Sequence, residues 1–463
     1  MLAAPMSFNN VPTMTPSKSW PYFDPEYETM SSILDPPRVV IDNESEKDVT
    51  LVKVSSQNKH GTLLEVVQEL MDMNLTILKA HISSDGGWFM DVFHVTDLKG
   101  RKIRDEKLIE NIQKALTLQK KKWTAEFQKC PGKCIGTQTI AEHTAIELTG
   151  VDRPGLLSDI SAVLSEMNCQ VNAAEVWTHK RRAACVIYVT DEDTLGPIDN
   201  VRKLERILEK LKPIMQGYDN EKKARSVVAE SFTHVERRLH QLMLADPDFD
   251  LSDSQTLSTE GIKEKPEVTV NEGCERNYSV INVRCLDRPK LLFDAVCTLT
   301  DMKYVVFHAT IDSSGLYALQ EYHIRKMDGR TLDAEDKAKV KKCLEAAIER
   351  RSSEGLRLEL CTTDRVGLLN DVTRIFGDHG LHVTSADVST QGDKAVNTFY
   401  VTDVNGRPVD LKRVEAIRVD NPLLGVNAVS PASEAPRNVD SSPFSKFVKS
   451  SSERFLQSLG WRV

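Results

Sequence analysis

Leu148-Thr-Gly-Val-Asp-Arg-Pro-Gly-Leu-Leu157 ends an apolar, strand-like run and opens an amphipathic one, and the chain repeats it. A third copy reads Asp287-Arg-Pro-Lys-Leu-Leu292, a fourth Asp364-Arg-Val-Gly-Leu-Leu369, and a weaker first copy Asn58-Lys-His-Gly-Thr-Leu-Leu64. Taken singly, each copy is a strand-to-helix turn. Asp or Asn suits a helix N-cap, worth roughly 1 kcal/mol against Ala. Pro154 and Pro289 suit a first helical position, and Gly permits the turn or a close backbone approach. Recurrence is what gives the stretch its weight.

With the Asp or Asn as origin, nineteen residues on lies Ile77, Val171, Val306 or Val383, each opening the pattern β-branched-x-x-Ala that ends at Ala80, Ala174, Ala309 or Ala386. Thirty-nine residues on lies Asp97, Asp191 or Asp403, with Lys326 in the third copy. The segments share one grammar. A short alternating strand precedes the turn, and a helix follows with Leu157, Ile160, Leu164 and Met167 on one face in the second copy. That spacing marks an amphipathic helix. Two β-rich runs split by a polar turn come next, then a second helix such as Leu204, Ile207, Leu208 and Leu211. The order β-α-β-β-α, with room for a last strand, is the split βαβ sandwich. The fold class is therefore α+β: four tandem ferredoxin-like βαββαβ units.

A first strand running into Asp-Arg-Pro-Gly-Leu-Leu within such a unit resembles an ACT domain. Four units with little else, together with Ser83-Ser-Asp-Gly-Gly-Trp-Phe-Met-Asp-Val-Phe-His-Val-Thr-Asp97, resemble the plant ACT-domain-repeat (ACR) proteins over most of residues 37–420. The resemblance implies a non-catalytic small-molecule sensor. Its ligand, most often an amino acid, would sit near the first strand-to-helix loop where two units meet.

Pro37-Arg-Val-Val-Ile-Asp-Asn43 and Pro266-Glu-Val-Thr-Val-Asn-Glu272 are strand-like, each starting twenty-one residues before its origin, and the second and fourth copies show no such upstream strand. This predicts two pairs of units, one with two and three with four. The expected organisation is a loosely held arm over 1–36 carrying Trp20-Pro-Tyr-Phe23, then a first unit over 37–118 and a second over 142–214. A linker helix over 219–245 follows, with Val228, Phe232, Val235, Leu239 and Leu242 on one side, then a flexible linker over 246–265. The third unit spans 266–351, the fourth 355–422, and a tail over 426–463 holds a short amphipathic helix around Phe444 to Trp461.

Composition narrows the function. The 463 residues are 40% hydrophobic and 28% charged, an ordinary water-soluble balance. A net charge of −8 with both signs dispersed argues against a nucleic-acid surface. Nine cysteines lack a framework spacing, and Cys130 with Cys134 has no second pair, which points to a reducing compartment and away from zinc. The cytoplasm is expected, with the nucleus open through Lys120-Lys-Lys122. No run reaches the roughly 20 apolar residues of a membrane span, and the N-terminus does not read as a secretory signal. No nucleophile elbow, Walker loop or dinucleotide fingerprint is present, so no catalytic residue, metal or cofactor is assigned.

An α-amino acid needs anion-binding amides, which a helix N-terminus offers, and a carboxylate, carboxamide or strand-end carbonyl for its ammonium. Asp152, Arg153, Gly155 and Leu156, and Asp364, Gly367 and Leu368, are the candidates, with Asn172 as an added contact in the second unit. Asn58 and Gly61, and Asp287 with Lys290 in place of Gly, are weaker. The competing readings are that each Asp merely caps its helix, and that the chain is an ACT-based scaffold for a protein partner with empty loops. Exposed sheet edges would allow association within one chain or between copies.

Overall fold

The computed structural model describes residues 38–57, 60–85, 88–117, 143–217, 224–229, 234–245, 265–273, 278–351, 355–421 and 425–429. The expectations for the aromatic arm, Asn58, Phe232, the Lys120–Lys122 run, Cys130 with Cys134, residues 246–264 and the tail beyond 429 lie outside these.

The elements follow in chain order. The first unit comprises β1 (Arg38–Asp42), β2 (Thr50–Gln57), α1 (Thr62–Asp72), β3 (Leu75–Asp85), β4 (Trp88–Asp97) and α2 (Glu106–Thr117). The second comprises β5 (Thr144–Val151), α3 (Leu156–Glu166), β6 (Cys169–His179), β7 (Arg182–Asp191), α4 (Val201–Gln216) and β8 (Arg225–Val228). A separate helix, α5 (Val235–Ala245), precedes the third unit of β9 (Glu267–Glu272), β10 (Ser279–Leu286), α6 (Leu291–Asp301), β11 (Tyr304–Asp312), β12 (Tyr317–Lys326) and α7 (Ala334–Arg350). The fourth holds β13 (Leu356–Thr363), α8 (Leu368–Asp378), β14 (Leu381–Gln391), β15 (Lys394–Asp403), α9 (Leu411–Asp420) and β16 (Val426–Val429).

The units assemble into two eight-stranded antiparallel sheets, β1-β2-β4-β3-β11-β12-β10-β9 and β16-β13-β15-β14-β6-β7-β5-β8. Two pairs exist, but not the expected ones: the first unit pairs with the third and the second with the fourth. Chain proximity misled the expectation, because pairing is decided by which edges match. At the first seam β3 runs against β11 with Lys79 opposite Asp312, an ion pair at 3.4 Å. At the second, β6 runs against β14, and Thr178 donates to the Thr384 carbonyl at 2.8 Å.

The upstream strands β1 and β9 fill the outer edge of the first and third units, and the downstream strands β8 and β16 fill the same place in the second and fourth. Like is thus paired with like. The 219–245 helix is also corrected. Arg225–Val228 is a strand on β5, and the helix begins only at Val235. Val228 therefore completes a sheet edge instead of lying on a helix face.

Helices cover one face of each sheet and form two separate cores, one across the first and third units and one across the second and fourth. The opposite face of the second sheet is apolar as well. Trp177, Ala184 and Val186 there pack against Leu239 and Met243 of α5. Beyond α5 lie α1 and α6, reached by His234 to Asp72 at 3.1 Å and His240 to Asp294 at 2.8 Å. So α5 is the layer between the two halves.

Candidate functional site

In all four copies the residue before the first helix is left-handed: Gly61 at φ 92°, Gly155 at 81°, Lys290 at 67° and Gly367 at 77°. No side chain caps these helices. The aspartate is therefore not a helix cap. It sits before a tight turn closed by Leu156 N–H to Arg153 O at 3.1 Å in the second unit and Leu368 N–H to Arg365 O at 3.1 Å in the fourth. A Cβ on Gly155 would meet nothing within 4 Å, so the glycine serves the backbone twist and not a close approach.

Apart from the Leu156 and Leu368 amides, which close that turn, the first-turn amides have no partner inside their helix, and they stand beside the aspartate at one rim. The loops of the second and fourth units each open onto a cleft shared with the partner unit. The first cleft, a shallow recess of about 410 Å³ when the open solvent at its mouth is counted, is lined by Asp152, Arg153, Gly155 and Leu156 on one side and Thr373, Gly377 and His382 on the other. The second, about 390 Å³, sets Asp364, Arg365, Gly367 and Leu368 against Ser161, Ser165 and Cys169. A pseudo-twofold axis relates them: Thr373 and Gly377 hold the offsets of Ser161 and Ser165.

The same symmetry governs the aspartates. Asp152 Oδ2 lies 3.2 Å from Nε2 of His382, and Asp364 Oδ2 accepts from Gln170 Nε2 at 3.0 Å. His382 and Gln170 each lie eighteen residues after their own unit's aspartate, so each unit steadies its partner's loop. Asp364 also accepts from Thr390 at 2.7 Å and from the Arg365 amide at 2.9 Å. Asp152 Oδ1 keeps no partner among the described residues. A second device braces three of the four loops from within. Arg153 pairs with Asp159 at 2.5 Å, Arg288 with Asp294 at 2.7 Å, and Arg365 with Asp371.

Asp152, Arg153, Gly155 and Leu156 are thus brought together, as are Asp364, Gly367 and Leu368. Asn172 is not. It lies at the β6 bulge, outside the lining of both clefts, and accepts from Thr190 at 3.1 Å.

The third loop has a different environment. Lys290 is engaged by Glu236 of α5, and Arg351 bridges Glu236 and Asp294 at 3.0 Å each. Burial alone would raise the Asp294 carboxyl, but Arg351 and Arg288 outweigh it and hold the group well below the usual carboxylate range. Asp287 is exposed at the sheet end. In the first unit, Gly61 faces Thr300 of the third, 4.0 Å from where its Cβ would stand.

Sequence reading missed His382, Gln170, Asp159 and Asp371. A signal existed for the last two, since an acid recurs seven residues after each origin as Glu65, Asp159, Asp294 and Asp371. The first two follow only from knowing which unit faces which.

Family models match three segments of the chain. The ACR family N-terminal ACT domain matches residues 45–122, and the ACT domain matches 144–212 and 356–419. ACT domain-containing protein ACR3 of Arabidopsis thaliana is 55% identical, with 86% of this chain and 88% of that protein covered. The chain belongs to the ACT domain-containing ACR proteins.

ACR4 of the same plant is 50% identical over 85% of this chain and 87% of its own. A bifunctional uridylyltransferase/uridylyl-removing enzyme of Azospirillum brasilense is 30% identical, but over only 35% of this chain and 19% of the enzyme. Among solved structures, a putative glycine cleavage system transcriptional repressor aligns at 12% identity over 39% of this chain and 96% of its own, with a TM-score of 0.16, too low to carry weight. The ACR relatives are named for their ACT domains and not for an enzymatic activity. Among the described residues, no helix is long and apolar enough to cross a membrane, and no cluster of three metal-ligating side chains occurs.

Proposed function

We propose that this ACR protein is a non-catalytic regulatory protein that binds free amino acids in the two clefts between its second and fourth units. The observation that carries the reading is the pairing, at one rim, of an aspartate with a helix N-terminus that no side chain caps. The first-turn amides suit the ligand carboxylate, and the aspartate suits its ammonium. Asp152, with Oδ1 unspent, is the stronger ammonium partner, whereas Asp364 already accepts three hydrogen bonds.

Because each cleft is built from both units, a ligand adds contacts across the seam. It favours whichever arrangement of the units closes the cleft, in proportion to its differential affinity. The third loop, held by Lys290 with Glu236 and by Arg351, serves as a structural partner. The six cysteines among the described residues are all free thiols, which suits the cytoplasm or the nucleus.

A thermal-shift screen of the full chain against the twenty amino acids tests this. A ligand at 100 times its Kd adds about 2.7 kcal/mol, which is readily seen. Asp152→Asn should abolish most of the response at the first cleft. A stable protein with no shift for any amino acid refutes the reading and favours a scaffold for a protein partner.

A further inference from the structure

The two clefts share a backbone plan but not a floor. Thirty-three residues after each aspartate, on the helix-facing side of the strand behind the loop, stands Cys185 in the first cleft and Asn397 in the second. Both are buried, at 0% and 2% exposure. Burial pushes the Cys185 thiol up to about 12, so it is neutral and presents an apolar surface. Beside it, Val176 is apolar, and the Thr178 hydroxyl is spent on the Thr384 carbonyl at 2.8 Å.

Asn397 differs. Its carboxamide lines the second cleft, with the oxygen accepting from the Ser389 amide at 3.3 Å and the NH₂ donating to no partner among the described residues. The wall opposite differs in the same sense. Ser165 faces the second cleft, its Oγ 3.2 Å from where a Cβ on Gly367 would stand. Its counterpart across the pseudo-twofold is Gly377, where a Cβ would meet nothing within 4 Å. The floor of the first cleft is therefore the more apolar of the two, whereas Asn397 and Ser165 offer hydrogen bonds in the second.

We propose that the clefts take different amino acids: the Asp152 cleft one with an apolar side chain, and the Asp364 cleft one whose side chain ends in a hydroxyl or carboxamide. The proposal rests on the amino-acid reading above and adds a ligand class to each cleft. A polar side chain in the first cleft would lie against Cys185 and Val176 with its hydrogen bonds unmade, and a leucine in the second would leave the Asn397 NH₂ unpaired. Each mismatch costs about tenfold or more in affinity.

Leucine with asparagine, and methionine with glutamine, are near-isosteric pairs that separate polarity from size. Calorimetric titration of the full chain with these four ligands should find apolar and polar members binding together without competing. Asn397→Cys should weaken asparagine or glutamine about tenfold, and Cys185→Asn should weaken leucine or methionine about tenfold. If Asn397→Cys fails to fold, Ser165→Gly tests the same cleft, and there glutamine should gain on asparagine. Competition between the polar and apolar members for the same sites, or folded variants that weaken both classes equally or neither, overturns the proposal. A wild type that binds none of the four also overturns it, and one that binds none of the twenty amino acids overturns the parent reading with it.

Discussion

Asp152 of the second unit and His382 of the fourth, 230 residues apart, meet at 3.2 Å, and each is only 14% exposed. The contact ties the loop of one unit to the second strand of the other. It is one of two such ties, the other joining Asp364 to Gln170.

His382→Ala should loosen this seam. A partly buried hydrogen bond contributes about 1 kcal/mol, more when charged. Urea denaturation should show a loss of about 1–2 kcal/mol. Gln170→Ala should cost less, because Asp364 keeps Thr390 and the Arg365 amide. Equal stability of the His382 variant and the wild type would show that the tie is incidental.

Gly155→Ala should cost about 1–2 kcal/mol, the penalty for a side chain in the left-handed region, since nothing crowds the added methyl. Gly150→Ala should cost more, at or above about 3 kcal/mol. There a Cβ would stand 2.1 Å from the Met215 carbonyl oxygen at the end of α4. The comparison separates twist from crowding, and a reversed order of melting temperatures would contradict it.

Arg351→Ala should be among the most damaging single changes outside the cores. It takes from buried Asp294 and Glu236 the one guanidinium they share, leaving Arg288 to the first and Lys290 to the second, and removes the cation 4.6 Å over the Trp177 ring. Breaking a buried charge network in this way typically costs about 3–5 kcal/mol. The Asp294 carboxyl is held low in the folded state. Its contribution is therefore present above the unfolded value, about 3.9, and is lost as pH falls toward the folded value. A difference in melting temperature between variant and wild type that did not shrink at low pH would count against this account.

Asp91 behaves in the opposite way. It is 1% exposed, and burial raises its carboxyl well above the usual range, offset only in part by a hydrogen bond from the Ser83 backbone. The folded state then holds the proton more tightly than the unfolded chain, so stability falls as pH rises above about 3.9. Asp91→Asn should raise the melting temperature at pH 7, with the gain shrinking toward pH 4. A melting-temperature series over that range would show it, and an equal or lower value at pH 7 would refute it.

The recurrence of Asp-Arg-Pro-Gly-Leu-Leu, with the β-branched-x-x-Ala pattern nineteen residues on, was enough to establish four α+β units. Strand alternation and helical periodicity are written within single segments and need no knowledge of neighbours. The loops at Asp152 and Asp364 could be singled out for the same reason. The sequence did not show that Asp152 meets His382 and leaves its own helix uncapped, that Asn172 turns away to Thr190, or that Arg225–Val228 is a strand and not the start of a helix. Nor did it show that the first unit joins the third. Every unit carries a similar open edge, and the choice among edges depends on small differences, such as Lys79 against Asp312, between residues far apart in the chain. Only the folded arrangement brings those residues close enough for the differences to act.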